Sequence, residues 1–393
     1  DVVAEMTPTD RAAMFRFTFP ENDSSFVVVD AYDRGSAIRI IPEKNRIVGY
    51  TTRNSGGVPE NFRNYFVVEF DKPFTYRATF SNDTVPSKPD GTAGISLKPG
   101  VLEQENFHTG ALIGFRTGKG ERVHARVASS FISPEQAELN LKELADRDFD
   151  KLVADNRQAW NDVLGRVEIE DDSNIDRLRN FYSCLYRSLL FPRKFYETDA
   201  SGKVVHYSPY NGEVKPGYMY TDTGLWDTFR SLFPLLNLLY PSVNKEIQEG
   251  MINAYRESGF FPEWASPGHR GCMVGNNSAS VLADAYLKGI KVDDAETLWK
   301  GIVHGTENVH PEVSSTGRLG HEYYNTIGYV PYDVNIHENA ARTLEYAYND
   351  WCIYQLGKAL GRPKKEIAKY ADRAMNYRNL FDKENNLMRG RNK

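Results

Sequence analysis

Up to about residue 132 the chain sets short runs rich in Val, Ile, Tyr and Phe between turn residues, the pattern of β-strands. Ala37–Ile41 and Arg46–Thr52 flank Pro42-Glu43-Lys44-Asn45 and predict a hairpin. Tyr65–Phe70 and Thr75–Phe80 flank Asp71-Lys72-Pro73, and Ala111–Phe115 and Val123–Ser129 flank Thr117-Gly118-Lys119-Gly120. In the last run Val123, Ala125 and Val127 alternate with His124 and Arg126, as in a sheet with one wet face. An antiparallel β-sandwich over 1–132 follows.

The pattern changes at Ser133-Pro134-Glu135-Gln136, where an N-cap Ser, a Pro at the first helical position and Gln three residues on mark a helix start. Leu141, Leu144, Leu152, Val153, Trp160 and Leu164 then run to Gly165, and predict one or two linker helices over 133–171. A helical domain is expected over 172–393. Ser173 would cap a helix whose Leu178, Phe181, Leu185, Tyr186 and Leu189 share one face. Further helices are expected at Trp226–Leu239, Val243–Glu257, Asn277–Lys288, Ala295–Val303, Asn339–Leu360 and Lys364–Phe381, several stopped by Gly259, Gly289 or Gly361. Strands do not alternate with helices, which disfavours a Rossmann fold or a TIM barrel.

Composition narrows the partners. Lys+Arg 48 against Asp+Glu 53 gives a net charge of −5, so there is no basic footprint for nucleic acid. Mean hydropathy is −0.54, and no run approaches the roughly 20 apolar residues of a membrane span. Asp1–Met6 lacks the features of a secretory leader, so any leader has been removed or lies upstream. Cys184, Cys272 and Cys352 lack metal-ligand spacing and read as small buried hydrophobes, with one disulfide open. Aromatics make up 12% of the chain, suited to stacking on sugar rings and equally to filling cores.

Three loops repeat a pattern of Gly, aromatic residues and a carboxylate: Gly217–Asp222, Gly259–Trp264 and Gly328–Asp333. If helices alternate up and down, these loops share one end of the domain. The cleft would offer aromatic faces to apolar sugar faces and carboxylates to hydroxyls. The densest stretch is Tyr220–Arg230, in which Asp227 lies near a helix start, beside Trp226 and one turn before Arg230. Asp222 and Asp227 equally fit plain helix caps. Glu263 and Trp264 repeat the carboxylate-plus-aromatic theme, and Arg270 or Asn276 could donate to hydroxyls, with Asn276 or Asn277 also fitting an N-cap. His269, His310, His321 and His337 lack the spacing of a zinc site. The signatures of serine hydrolases, NTPases and dinucleotide enzymes do not occur, and carboxylate chemistry remains.

These residues resemble glycoside hydrolase family 92. Tyr220–Arg230 is similar to the family's Y-T-D-x-x-L-W-D-T-F-R stretch, and Phe15–Pro20 to its R-F-T-F-P segment. Ser130–Ser133, Trp160-Asn161, Leu164–Arg166, Gly259–Trp264, Met273–Gly275, Ala283–Ile290 and Leu344–Trp351 follow in matching order. The resemblance implies a β-sandwich on an (α/α)6 toroid and an inverting exo-α-mannosidase that needs calcium, acting on mannose-containing glycans in the periplasm or outside the cell. It places Trp226 and Asp227 at the terminal mannose; Asp222, Arg230, Glu263 and Trp264 extend that set by proximity.

The family's H-G-N-E-P and G-N-D-D-x-G segments, which supply its general acid and base, do not occur here, nor does its N-P-x-I-G-T region. The chain is therefore expected to be an internal segment with an incomplete toroid, because twelve helices do not fit in about 220 residues. It would be inactive alone and need the remainder of its own polypeptide. The competing readings are another sandwich-plus-toroid glycosidase or phosphorylase, and a non-catalytic carbohydrate-binding protein.

Overall fold

The computed structural model describes residues 1–82, 94–171 and 173–393, and the chain divides into two compact units. The first comprises 1–55, 60–170 and 197–207; the second comprises 56–59, 171–196 and 208–393. Asp172, the expected start of the helical domain, lies outside the described residues.

The strands of the first unit are β1 (Val3–Pro8), β2 (Ala12–Phe19), β3 (Asn22–Asp30), β4 (Ser36–Ile41), β5 (Arg46–Thr51) and β6 (Asn64–Phe70). There follow β7 (Tyr76–Asn82), β8 (Ser96–Pro99), β9 (Glu103–Asn106), β10 (His108–Thr117) and β11 (Glu121–Ser130). They form a seven-stranded sheet in the order β1-β2-β11-β6-β5-β4-β9 and a four-stranded sheet in the order β3-β10-β7-β8. Every pair is antiparallel. The expected hairpin is β4–β5, with Ile41 opposite Arg46. The turns at 71–73 and 117–120 are different: β6 and β11 lie in one sheet, β7 and β10 in the other. These two turns carry the chain from sheet to sheet, which makes the pair of sheets a sandwich.

Alternation along β2 and β11 assigns their two faces. Phe19, Val123 and Ala125 pack with Ile38, Ile47, Val68, Ile113 and Phe115 between the sheets. On the opposite face Ala12, Met14 and Ala128 pack with Ala137, Leu144, Phe149 and Leu152 from the helices α1 (Pro134–Asn140) and α2 (Phe149–Leu164) and the turn between them. The face expected to be wet is thus partly covered. The expected linker helices belong to the first unit. Ser133 caps α1 as its sequence predicts, its Oγ accepting from Gln136 N–H at 3.1 Å. Arg16, on the covered face, pairs with Glu5 at 2.7 Å and Asp150 at 2.8 Å, and lies 4.1 Å over the Phe149 ring.

The second unit is helical: α3 (Ile175–Ser188), α4 (Leu225–Thr228), α5 (Leu232–Leu239), α6 (Pro241–Ser258), α7 (Asn277–Leu287), α8 (Ala295–Glu307), α9 (His321–Ile327), α10 (Asn339–Ala359) and α11 (Lys364–Arg373). The antiparallel β-sheet domain followed by a helical domain is the expected fold class. Details differ locally. Asn174, not Ser173, caps α3, accepting from Asp176 N–H at 2.9 Å. The helix expected over 226–239 is broken between α4 and α5, because Pro234 has no N–H to give the Arg230 carbonyl. α7 is buried from Asn277 through Ala283, so it is a core helix. Among the described residues no helix is long and apolar enough to cross a membrane. All three cysteines are free; Cys352 is buried as expected, but Cys184 and Cys272 are exposed.

Leu152 is 2% exposed in the cluster between sheet and helices. Leu152→Ala should lower stability by about 3 kcal/mol, the ordinary cost of a Leu-sized cavity. Denaturant unfolding checks this; a loss under about 1 kcal/mol would mean that α2 is not packed as described.

Candidate carbohydrate site

The site is organised by a very short pairing. Thr223 and Gly224 lie antiparallel to Ala265 and Trp264, and Leu225 N–H donates to the Glu263 carbonyl at 2.9 Å. Ser266 Oγ donates to Asp222 Oδ1 at 2.9 Å, and Thr221 Oγ1 to the Pro267 carbonyl at 3.0 Å. Two of the three expected loops are thereby laced together, just before α4 begins. Gly224 lets the side chains close in at this crossing: a Cβ there would sit 2.5 Å from the Met273 methyl and 3.3 Å from Asp227 Oδ2, so Met273 would have to move. The third loop, Gly328–Asp333, makes its own bonds: Val330 N–H donates to Thr343 Oγ1 at 2.9 Å, and Tyr332 N–H to the Arg391 carbonyl at 2.8 Å.

The six expected residues take distinct places. Trp226 is half-buried, and its indole N–H donates to Glu345 Oε1 at 3.1 Å. Arg230 is exposed and donates to the same oxygen at 2.7 Å. Asp227 is exposed, and among the described residues its carboxylate has no hydrogen-bond or ion-pair partner. Trp264 is half-buried, with the Arg270 guanidinium 6.0 Å from its ring centre. Asp222 has a positive φ of 61° and pairs with Arg193.

Neither aspartate caps a helix. Gly224 occupies the N-cap position of α4 with no side-chain bond, Asp222 is held by Arg193 and Ser266, and Asp227 stands free.

Glu263 is the buried member of the set, only 1% exposed. Its Oε1 accepts from Asn276 Nδ2 at 2.7 Å and Ser278 Oγ at 2.6 Å, and its Oε2 from Ser278 N–H at 3.1 Å. Asn276 stands at the N-cap of α7 but makes no capping bond with its side chain. Glu263 does that work from another segment, satisfying the helix's free N–H groups and meeting the positive end of its dipole. It was expected to face the ligand; with these bonds and this burial it is an anchor behind the site. His269 is likewise buried, with Nε2 2.9 Å from Ser258 Oγ. Burial, and then nearby His310, hold its pKa down to about 3, so the ring is neutral.

Glu345 escaped the sequence reading as a site residue. It projects from α10 with only 13% of its side chain exposed, and takes bonds from Trp226 and Arg230, with Asn277 Nδ2 at 3.4 Å. Four residues on, Asn349 accepts from Asn276 N–H at 2.8 Å and donates to Ser280 Oγ at 2.8 Å. The available signal was two polar residues at i, i+4 in a helix that otherwise buries Tyr346, Ile353 and Leu356. An open cleft of about 490 Å³ adjoins this corner, lined by Phe229, Arg230, Asp284, Glu345 and Tyr348 among others.

Residues 1–130 match the glycosyl hydrolase family 92 N-terminal domain, and residues 136–393 match the family's catalytic domain. The chain belongs to glycosyl hydrolase family 92. The structure of an inverting GH92 mannosidase from Bacteroides thetaiotaomicron is 48% identical, with a TM-score of 0.93, over 100% of this chain and 51% of that one. A GH92 α-mannosidase of the same organism, solved with mannoimidazole, is 31% identical, with a TM-score of 0.84, over 100% of this chain and 50% of that one. A protein of Arthroderma benhamiae described as an uncharacterized secreted glycosidase is 27% identical over 97% of this chain and 47% of its own length. The chain thus spans about half the length of these relatives.

The family 92 chain carries one titrating group at the heart of this site. Burial pushes the Glu263 carboxyl up to about 7 from an ordinary 4.5, against the downward pull of its hydrogen bonds. The folded state then holds a proton that the unfolded chain has released between about pH 4.5 and 7, so the group's stabilising contribution is full below pH 4.5 and lost as pH rises through 7. Glu263→Gln removes this dependence. The stability of the native protein relative to the variant should fall by roughly 3 kcal/mol across that window. A difference that stays flat from pH 4.5 to 7.5 in chemical denaturation would rule the buried titration out.

Proposed function

We propose that this protein removes terminal α-linked mannose from glycans by inverting hydrolysis, and that this chain supplies the grip on the terminal sugar. The observation that carries the reading is the Asp227 carboxylate. It is exposed and unpartnered among the described residues, and is held next to Gly224 at the strand pair that also fixes Trp264, with Trp226 adjacent in the chain. A carboxylate accepting from two vicinal hydroxyls, flanked by indole faces, suits a hexose. Family membership and the mannosidase names of its relatives support the choice of mannose. Arg230 and Trp264 complete the contact set; Asp222 and Glu263 hold the loops from behind.

Inversion requires two carboxyls about 6.5–9.5 Å apart with a water between them. In our reading neither is among the six residues above, and both come from sequence corresponding to the other half of the relatives. Calcium binds six to eight oxygens, and among the described residues no three His, Cys, Asp or Glu side chains gather to hold an ion. Calcium also takes amide and backbone carbonyl oxygens and water, and no step here is drawn through it. The secreted relative supports action outside the cytoplasm.

The test is hydrolysis of an aryl α-mannoside by the intact protein, with α-glucoside, phosphate and chelator controls. Turnover of the mannoside with inversion is expected, and Asp227→Asn should lower kcat/KM by about 100-fold, the worth of two charge-assisted hydrogen bonds. Turnover by the 393-residue chain alone at the same rate would show that the acid and base lie within it. Binding of mannose without any turnover by the intact protein would favour a carbohydrate-binding role instead.

A further inference from the structure

Trp226 and Arg230 are one turn apart on one short stretch of chain, yet neither is held by its own neighbours alone. The indole N–H and the guanidinium both end on Oε1 of Glu345, at 3.1 and 2.7 Å, and Glu345 comes from α10, more than a hundred residues later. The carboxylate is itself fixed. Asn277 Nδ2 reaches its Oε2 at 3.4 Å, and Gly275, at a φ of 91°, brings the backbone so close that a Cβ there would meet the Glu345 Cβ at 3.0 Å. Two aromatic contacts complete the corner: Arg230 lies 4.4 Å from the centre of the Phe229 ring, and Phe229 packs on Tyr348 at 5.3 Å.

A side chain with 13% exposure that receives two donors on one oxygen is a clamp. An indole free to turn about its two side-chain torsions would present its face to a ligand only part of the time, and fixing it beforehand removes that cost from binding. We infer that Glu345 is a positioning residue, which locks the Trp226 indole and the Arg230 guanidinium in the orientation that receives the terminal hexose. The inference rests on the reading of this site as a sugar pocket. It adds that α10 sets the pocket's rigidity through a single carboxylate. Glu345 and Arg230 also line the adjoining cleft.

The experiment uses the intact protein labelled with 5-fluorotryptophan, with the Trp226 resonance assigned as the one lost in Trp226→Phe. Glu345→Ala should shift or broaden that resonance while leaving the others in place, and should weaken binding of methyl α-mannoside by about tenfold, one hydrogen bond to a charged group. Glu345→Gln keeps an oxygen for the indole and the shape of the side chain. It should restore the Trp226 resonance and much of the affinity, which a general loss of packing would not do, and it carries the test if the alanine variant does not fold. An unmoved Trp226 resonance in Glu345→Ala, or full affinity despite a moved one, would overturn the inference. Wild-type protein that binds no mannoside would sink the proposed function instead, while the fluorine signal still judges the clamp.

Discussion

A carboxylate buried at the start of a helix sets the geometry of everything around it. Glu263 lies where the free N–H groups of α7 need acceptors, and it reaches back to them from the loop that leads into that helix. Its backbone carbonyl meanwhile accepts from Leu225, the first residue of α4. One residue thus ties a core helix to the segment that begins with Leu225 and continues as Trp226 and Asp227. Leaving such a group unsatisfied away from water would cost several kcal/mol, which makes the arrangement all or none. The loop is either seated on α7, and Trp226 and Asp227 are then in register, or it is not seated at all.

The second support is α10. Its Glu345 and Asn349 face the start of α7, while Tyr346 and Asp350 face the other way, into a fully buried polar cluster. There Asp350 pairs with Arg318 at 2.7 Å, both side chains being 0% exposed, and Tyr324 donates to Asp350 at 3.0 Å. The Arg318 guanidinium lies 5.2 Å from the Tyr346 ring centre and 5.7 Å from that of Tyr324. A buried ion pair contributes little net stability compared with apolar packing, but removing one partner strands the other's charge. Turning α10 would break this pair, and the rotation that keeps it is the one in which Glu345 reaches Trp226.

What could be read in the sequence was whatever local chemistry decides. Ser133-Pro134 with Gln136 marked the start of α1, glycines marked the ends of α6 and α7, and alternation marked β11, because each is settled within a few residues. The turns at 71–73 and 117–120 show where this fails: identical turn chemistry serves a hairpin and a crossing between sheets, and only the packed core distinguishes them. Within the site, Trp226, Asp227 and Arg230 stand out by their density along the chain. Glu263 was noticed for the wrong reason, since a charged residue in a loop suggests exposure until the helix start it serves is in view. Glu345 gave almost no signal, because its meaning comes from two donors over a hundred residues away.

The carboxylates of this corner differ in how far the protein itself has engaged them. Asp222, Glu263 and Glu345 each have their oxygens engaged by the protein's own donors, and each is at least partly withdrawn from solvent. They differ from Asp227 in availability: a ligand would have to break an existing bond to use them, whereas Asp227 offers lone pairs that cost nothing internal to recruit. Had Asp227 served only the helix, it would bond a free backbone N–H at the start of α4, and that position is filled by a glycine with no side chain to offer. Three acidic groups are secured by the protein's own donors while Asp227, beside Trp226 in the chain, is left open, a feature that folding alone does not require.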